Sequence, residues 1–149
     1  MAEYLANAVQ SISGNEPAIF TASIPCRAGY VYHDDETGIF ILRGAVNNPT
    51  SCFARYRVTF NGNIAVPAGG TVAPIAVALT VNGEPRPTSR AIVTPAAAED
   101  YFNVTCTAIV TVPRGCCFSL SLRNVAAEAD TPPEAISLQN ANLVIDRVA

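Results

Sequence analysis

Cysteine is the residue type whose spacing most suggests chemistry in this chain. The five cysteines stand at positions 26, 52, 106, 116 and 117, and Cys116 and Cys117 follow a Pro-Arg-Gly turn. Zinc sites of the ribbon type use Cys-x-x-Cys pairs, which the sequence lacks. Adjacent strand residues point to opposite faces, so the pair cannot readily share one metal or bond to each other. We predict reduced cysteines that pack as small apolar side chains, without a metal or cofactor.

The single histidine, His33, begins a second cluster of reactive types in the stretch His-Asp-Asp-Glu-Thr-Gly. Such a cluster could hold a divalent cation or take part in catalysis. Calcium loops, however, space their oxygen ligands around a glycine in a fixed register that this stretch does not reproduce. The chain also lacks the nucleophile elbow, the phosphate loop and the dinucleotide fingerprint. We therefore interpret residues 33–38 as a solvated turn and predict that the protein is not an enzyme.

Charge is scarce in this sequence. Charged residues make up 14% of the chain, against roughly 25% in an average globular protein. All nine basic residues are arginine, which tolerates partial desolvation better than lysine. No apolar run reaches the ~18 residues of a membrane span, and no basic cluster could neutralise nucleic-acid phosphates. The composition predicts no membrane and no nucleic-acid partner, but a surface that is covered by another subunit.

Short β-type runs separated by Gly, Pro and Asn fill the chain from residue 17 onward, which predicts an all-β fold. The hairpin signal Asn82-Gly83 and two Val-Pro-x-Gly turns support this interpretation. An antiparallel β-sandwich of nine strands is expected. The predicted strands cover residues 18–24, 29–33, 38–44, 52–60, 72–81, 89–94, 101–112, 117–124 and 135–148.

Residues 1–16 have a different pattern, and we assign them to an N-terminal segment separate from the domain at 17–149. Apolar residues here recur at the spacing of one helical face, which a short helix or an extended arm would both satisfy. A frayed terminus is the third possibility. An isolated helix of this length is marginal in water, so the segment should order only against its neighbours or a partner.

Two strands are apolar on both faces, namely residues 38–44 and the last strand near residues 142–148. The strands at 72–81 and 101–112 are instead expected to bury one face. A second apolar face in an antiparallel sandwich needs a cover, so the two-faced strands are candidates for a subunit interface. The alternative is that a loop of the same subunit covers them.

The stretches RYRVTFNGNIAVPAGGTVAPIAVALTVNGEP, YFNVTCTAIVTVPRGCCFSLSLRN and ISLQNANLVIDRVA resemble the trimeric jelly rolls of the tumour necrosis factor and complement-head type. They are most similar to the small versions found among structural proteins of tailed bacteriophages, which decorate capsids or form head fibres. The tips of collagen-like spore-surface proteins are also similar, although this chain lacks a Gly-X-Y stalk. The resemblance covers roughly residues 17–149 and implies a TNF-like jelly roll that assembles as a homotrimer.

The function implied is that of a structural virion protein, made in the host cytoplasm and located on the capsid surface. Its expected partners are its own copies and the major capsid protein. The alternative is a trimeric tip that binds a receptor or glycan, although the tyrosines mostly lie within strands and tryptophan is absent. The predicted trimer interface comprises Tyr56, Phe102, Leu143 and Ile145, of which the two aromatics come from the resemblance. The predicted capsid anchor comprises Tyr4, Leu5, Val9 and Ile12.

Overall fold

The computed structural model describes residues 1–24, 30–45 and 49–149, and there the chain is almost entirely β-structure. Two six-stranded antiparallel sheets pack as a sandwich, so the predicted fold class is confirmed. A single turn of 3-10 helix covers Pro87–Ser89. The described strands are β1 (Ala2–Ala6), β2 (Gln10–Ile12), β3 (Ala22–Ile24), β4 (Val31–Asp34), β5 (Ile39–Arg43), β6 (Phe53–Ala65), β7 (Ile75–Val81), β8 (Glu84–Pro85), β9 (Ala91–Val93), β10 (Phe102–Pro113), β11 (Cys117–Val125) and β12 (Ile136–Arg147).

The first sheet has the strand order β10-β6-β12-β1-β3, with β2 also paired to β12. Strands β6 and β10 pair along their whole length, from Phe102 opposite Ile64 to Pro113 opposite Phe53. Every second side chain of these strands is buried, as the alternation of a sheet with one covered face requires. The other face presents mainly threonine and asparagine.

A β-bulge in β12 decides which of its side chains enter the core. The pairing of β12 with β6 shifts between Gln139 and Asn142, and Asn140 has a positive φ of 51°. Buried residues have even numbers before the shift, as at Leu138, and odd numbers after it, as at Leu143. The extra residue therefore lets both halves of the strand point their apolar side chains inward.

The second sheet has the order β4-β5-β11-β7-β8, with β9 paired to β7. Every residue of β7 is buried. Val77 and Leu79 face the main core, while Ala76 and Ala78 form a smaller cluster with Val125. The expectation that this strand buries only one face is wrong, because the small outer side chains are also covered.

The β7–β8 hairpin turns at Asn82-Gly83, as predicted. Both residues have positive φ, 52° and 83°. These are the angles of the two-residue turn that matches the twist of paired strands, and glycine adopts them without steric cost. The hairpin returns the chain along β7 for two residues before the 3-10 turn begins.

The N-terminal segment is extended and ordered against neighbouring strands of the sandwich, so the helical alternative is wrong. Strand β1 pairs with β12, from Ala2 opposite Ile145 to Ala6 opposite Ala141, and β3 pairs with its other side. Strand β2 pairs with the beginning of β12. Hydrogen bonding to distant strands overrides the local helical spacing. Residues 1–16 thus supply two strands to the same sheet as residues 53–65 and 136–147.

Aromatic side chains fill one region of the core between the sheets. Phe40 lies edge-on to Tyr4, with ring centroids 4.6 Å apart, and to Phe20, with centroids 5.8 Å apart. Phe20 also meets Phe60 edge-on at 6.5 Å. Edge-to-face contacts are favourable beyond the area that they bury. Strand β1 is therefore fastened by packing as well as by its hydrogen bonds, because Tyr4 belongs to this group.

Candidate interaction surfaces

Three of the four predicted interface side chains are core residues of the single chain. Tyr56, Leu143 and Ile145 are at most 1% exposed, whereas Phe102 is 37% exposed at the start of β10. The alternation of β6 and the bulge of β12 turn the first three inward. A neighbouring subunit could contact only Phe102 without opening the sandwich.

Tyr56 links the two sheets through its hydroxyl group. That hydroxyl donates to the main-chain carbonyl of Arg43 at the end of β5, and the carbonyl of Tyr30 is 3.3 Å away. Burial raises the pKa of Tyr56 above its ordinary value, although the nearby Arg147 acts in the opposite direction. The aromatic residue that we expected at an interface therefore ties the sandwich together at one end.

The outer face of the first sheet is a ladder of amides and hydroxyls. The side-chain amide of Asn103 donates to the side-chain oxygens of Asn61, at 2.7 Å, and Asn63, at 3.1 Å. Thr107 donates to the carbonyl of Val58 at 3.2 Å. The register places further uncharged, partly or fully exposed side chains beside them, namely Thr59, Thr105, Asn142, Val144 and Leu5.

Most charges on this face have a polar partner within the chain, except Arg55, whose guanidinium group lies over the Phe53 ring. Arg57 forms an ion pair with Asp146 at 3.1 Å, across the β6–β12 pair. The carboxylate of Glu3 accepts a hydrogen bond from the side-chain amide of Asn142. A face of this kind costs less to remove from water than one with free lysines and glutamates.

The four predicted anchor residues do not form one apolar stripe. Tyr4 and Ile12 are buried in the core, at 7% and 3% exposure. Leu5 is partly exposed on the outer face of β1, and Val9 is exposed in the turn between β1 and β2. Because a strand alternates its faces, the apolar residues of this segment diverge. Only Leu5 and Val9 are available to a partner of the folded subunit.

The packing role that we predicted for the cysteines is confirmed for Cys106 and is wrong for Cys52, Cys116 and Cys117. Cys106 alone among the described cysteines is buried, and burial raises the pKa of its thiol to about 11. Cys52, Cys116 and Cys117 are exposed free thiols at the end of the sandwich where β11 begins. The adjacent pair precedes the covered part of its strand, which explains its exposure. Cys26 lies outside the described residues.

His33 is a packing residue, and the acidic residues after it form the turn that we expected. The His33 ring stacks on Phe40, with centroids 4.2 Å apart, and its Nε2 atom donates to the carbonyl of Phe20 at 2.8 Å. Asp34 accepts from the main-chain amides of Glu36 and Thr37, and these hydrogen bonds lower its pKa. Within residues 1–24, 30–45 and 49–149, no three His, Cys, Asp or Glu side chains are grouped to hold a metal ion.

An apolar cavity of about 140 Å³ opens at the other end of the sandwich, between residues 66–75 and 124–135. Val66, Ile75 and Val125 line its walls together with prolines, while Glu128 and Glu134 contribute to its lining.

No helix of the described chain is long and apolar enough to cross a membrane.

Comparison with solved structures supports the fold. The chain superposes on the globular domain of zebrafish complement 1qA protein with a TM-score of 0.54 and 11% identity, covering 95% of this chain and 92% of that one. It also matches the sugar-binding EclA C-terminal domain, with a TM-score of 0.43 and 13% identity, over 95% of this chain and 79% of that one. No protein-family model and no curated protein matches the sequence. The first similarity agrees with the TNF-like jelly roll that we predicted.

Proposed function

We propose that the protein is a non-catalytic structural domain that assembles as a homotrimer through the outer face of its first sheet. The single observation that supports this most is the hydrogen-bonded ladder of amides and hydroxyls around Asn61, Asn63 and Asn103. The side-chain amide of Asn103 and the side-chain oxygens of Asn61 and Asn63 are already paired within the chain. A neighbouring copy would leave these hydrogen bonds in place and would have to satisfy only the remaining amide and hydroxyl groups of the face.

The scarcity of charge supports the same surface. Interface centres are depleted in charged residues, and here the ion pair of Arg57 with Asp146 limits the charge that a neighbour must accommodate. Leu5 and Val144 lie on neighbouring strands of this face and provide its apolar contacts. Phe102 is exposed at the beginning of the edge strand β10, but it stands opposite the buried Ile64 and so lies beside this face, not on it.

Val144→Arg tests the proposed interface. Val144 stands opposite Glu3 on β1, so an arginine there gains an opposite charge and the subunit should stay folded. The same arginine would place its bulk and charge in the proposed interface. We expect a folded monomer by circular dichroism and light scattering. Val72→Arg, in an exposed loop, is the matched control and should remain a trimer. A trimeric Val144→Arg protein would exclude this face.

The more specific role that we propose is decoration of a tailed-phage capsid, in a position that exposes the trimer on the virion surface. This role rests on the resemblance of residues 17–149 to small phage jelly rolls. Purified protein should co-sediment with capsids that lack it, in a ratio of three copies for each binding position. If the protein stays in the supernatant at saturating concentration, the capsid is not its partner.

One observation favours the alternative of a glycan-binding tip. Tyr32 is 60% exposed on the outer side of the second sheet, contrary to our expectation that the tyrosines offer little surface for stacking. Aromatic faces can stack on the apolar side of a sugar ring. In a glycan array, specific binding that disappears in Tyr32→Ala would support this second function, and an array without signal would exclude it for the glycans tested.

A further inference from the structure

Basic side chains gather at one end of the sandwich, where β6 begins and where β5, β10 and β12 end. Five of the nine arginines lie there, on segments far apart in sequence. Only one of them has a carboxylate side chain as an ion-pair partner within the described residues, namely Arg57 with Asp146. We call this surface the arginine end. Its members are Arg43, Arg55, Arg57, Arg114 and Arg147.

Several of these guanidinium groups are held in place. The Cζ atom of Arg147 lies 4.2 Å from the ring centroid of Tyr30, and that of Arg55 lies 4.6 Å from the ring centroid of Phe53. Arg114 donates to the carbonyl of Pro49 at 3.3 Å. Arginines that are already ordered lose less conformational entropy when a partner binds. The arginine end is therefore preorganised to bind an acidic partner.

Carboxylates outnumber arginines at the opposite end, where Arg90 and Arg123 donate to the main-chain carbonyls of Ala126 and Asn15. Strand β6 has 13 residues and connects the two ends, which are about 40 Å apart at the usual rise of ~3.3 Å per residue. The turn at residues 34–36 holds three carboxylates, the turn at 99–100 holds two, and the loop at 128–134 holds three. We call this surface the carboxylate end. One subunit thus has two ends of opposite charge.

The carboxylate end also contains the apolar cavity of about 140 Å³, which Glu128 and Glu134 help to line. Apolar walls and nearby carboxylates suit an arginine side chain. Its aliphatic part can pack against Val125 and Pro133, while its guanidinium group can pair with the two glutamates. This feature matches the chemistry of the arginine end.

We propose that the arginine end of one copy docks on the carboxylate end of a second copy. A second copy is the partner because the same chain carries both complementary surfaces. The contact joins two different surfaces, so it can continue from copy to copy as a head-to-tail stack. It uses the ends of the strands, where Arg43, Arg114 and Arg147 lie apart from the outer face of the first sheet proposed for the trimer. Arg55 and Arg57 lie on that face, near its edge.

The experiment is sedimentation velocity of the full chain at about 0.02 M and about 0.5 M salt, because such charges are strongly screened at the higher concentration. We expect species larger than the basic assembly at low salt and their dissociation at high salt. A wild-type protein with the same sedimentation coefficient at both salt concentrations would overturn the proposal, since the arginine end would then not bind a second copy of this chain.

Two charge-reversed variants identify the surfaces. The first is Arg43→Glu/Arg114→Glu, whose substitutions lie away from the outer face of the first sheet. The second is Glu128→Arg/Asp130→Arg/Glu134→Arg. Each should lose the salt-sensitive association by itself while keeping the circular dichroism spectrum of the wild type.

An equimolar mixture of the two variants should associate again, because the unaltered carboxylate end of the first variant can meet the unaltered arginine end of the second, and the two reversed ends are also opposite in charge. Association of either variant alone at the wild-type level would overturn the proposal. A mixture that does not associate would also overturn it, since the two ends would then not contact each other.

Discussion

Leu143→Ala distinguishes a core position from an interface position. Leu143 is fully buried, and the pairing of β12 sets it beside Phe60 on one side and Tyr4 on the other. The substitution removes three buried carbons, which contribute about 2.4 kcal/mol at ~0.8 kcal/mol each. Incomplete closure of the cavity adds about 1 kcal/mol, so the expected loss in the free energy of unfolding is about 3 kcal/mol.

The assay is urea unfolding followed by circular dichroism, together with the native mass by light scattering. A loss of about 3 kcal/mol corresponds to a melting temperature lowered by about 6 to 12 °C for a domain of this size. The native assembly should have the mass of the wild type. Val72→Ala, in an exposed loop, should change stability by less than about 0.5 kcal/mol. A stable, monomeric Leu143→Ala protein would refute the assignment of Leu143 to the core.

Three further predictions concern the N-terminus, the thiols and the buried tyrosine. Deletion of residues 2–6 should unfold the domain or lower its melting temperature strongly, because it removes β1 and Tyr4. A truncated protein with the wild-type melting temperature would contradict the pairing of β1 with β12. Iodoacetamide followed by peptide mass spectrometry should leave Cys106 unmodified until urea is added, and native labelling should instead reach Cys52, Cys116 and Cys117. Because the pKa of Tyr56 is raised, its folded form keeps the proton above pH 10.0, where the unfolded chain begins to lose it. The free energy of unfolding should therefore fall with rising pH above this value more steeply in the wild type than in Tyr56→Phe. At neutral pH the Tyr56→Phe substitution should lower the free energy of unfolding by about 1 kcal/mol, because it removes a hydrogen bond. Parallel pH profiles of the two proteins would contradict the effect of burial on Tyr56.

The strands from residue 17 onward could be predicted because alternation and turn residues are local signals. Each of the nine predicted strands has a counterpart, and the Asn82-Gly83 hairpin is present. The two strands before residue 17 could not be recognised, because the spacing of Tyr4, Val9 and Ile12 also fits a helix. Their pairing with β12, more than 120 residues away in the sequence, decides the structure.

The predicted interface depended on which face of each strand points inward, and this depends on the bulge at Asn140. A pattern that is apolar on both faces, as near residues 142–148, does not show where the register shifts. Leu143 and Ile145 were expected at an interface but belong to the core. The outer face is mainly polar, and a polar strand face gives no signal of an interface in the sequence. The two charged ends could not be recognised either, because Arg43, Arg114 and Arg147 are far apart in the sequence and lie at one end only after folding.

The native mass of the wild-type protein tests the central claim most directly. The mass is measured by light scattering coupled to size-exclusion chromatography, at micromolar protein and about 0.5 M salt. The salt screens the end-to-end contacts and leaves the proposed trimer. We predict a mass three times that of the 15.6 kDa chain. A single species with the mass of one chain would contradict assembly through the outer face of the first sheet.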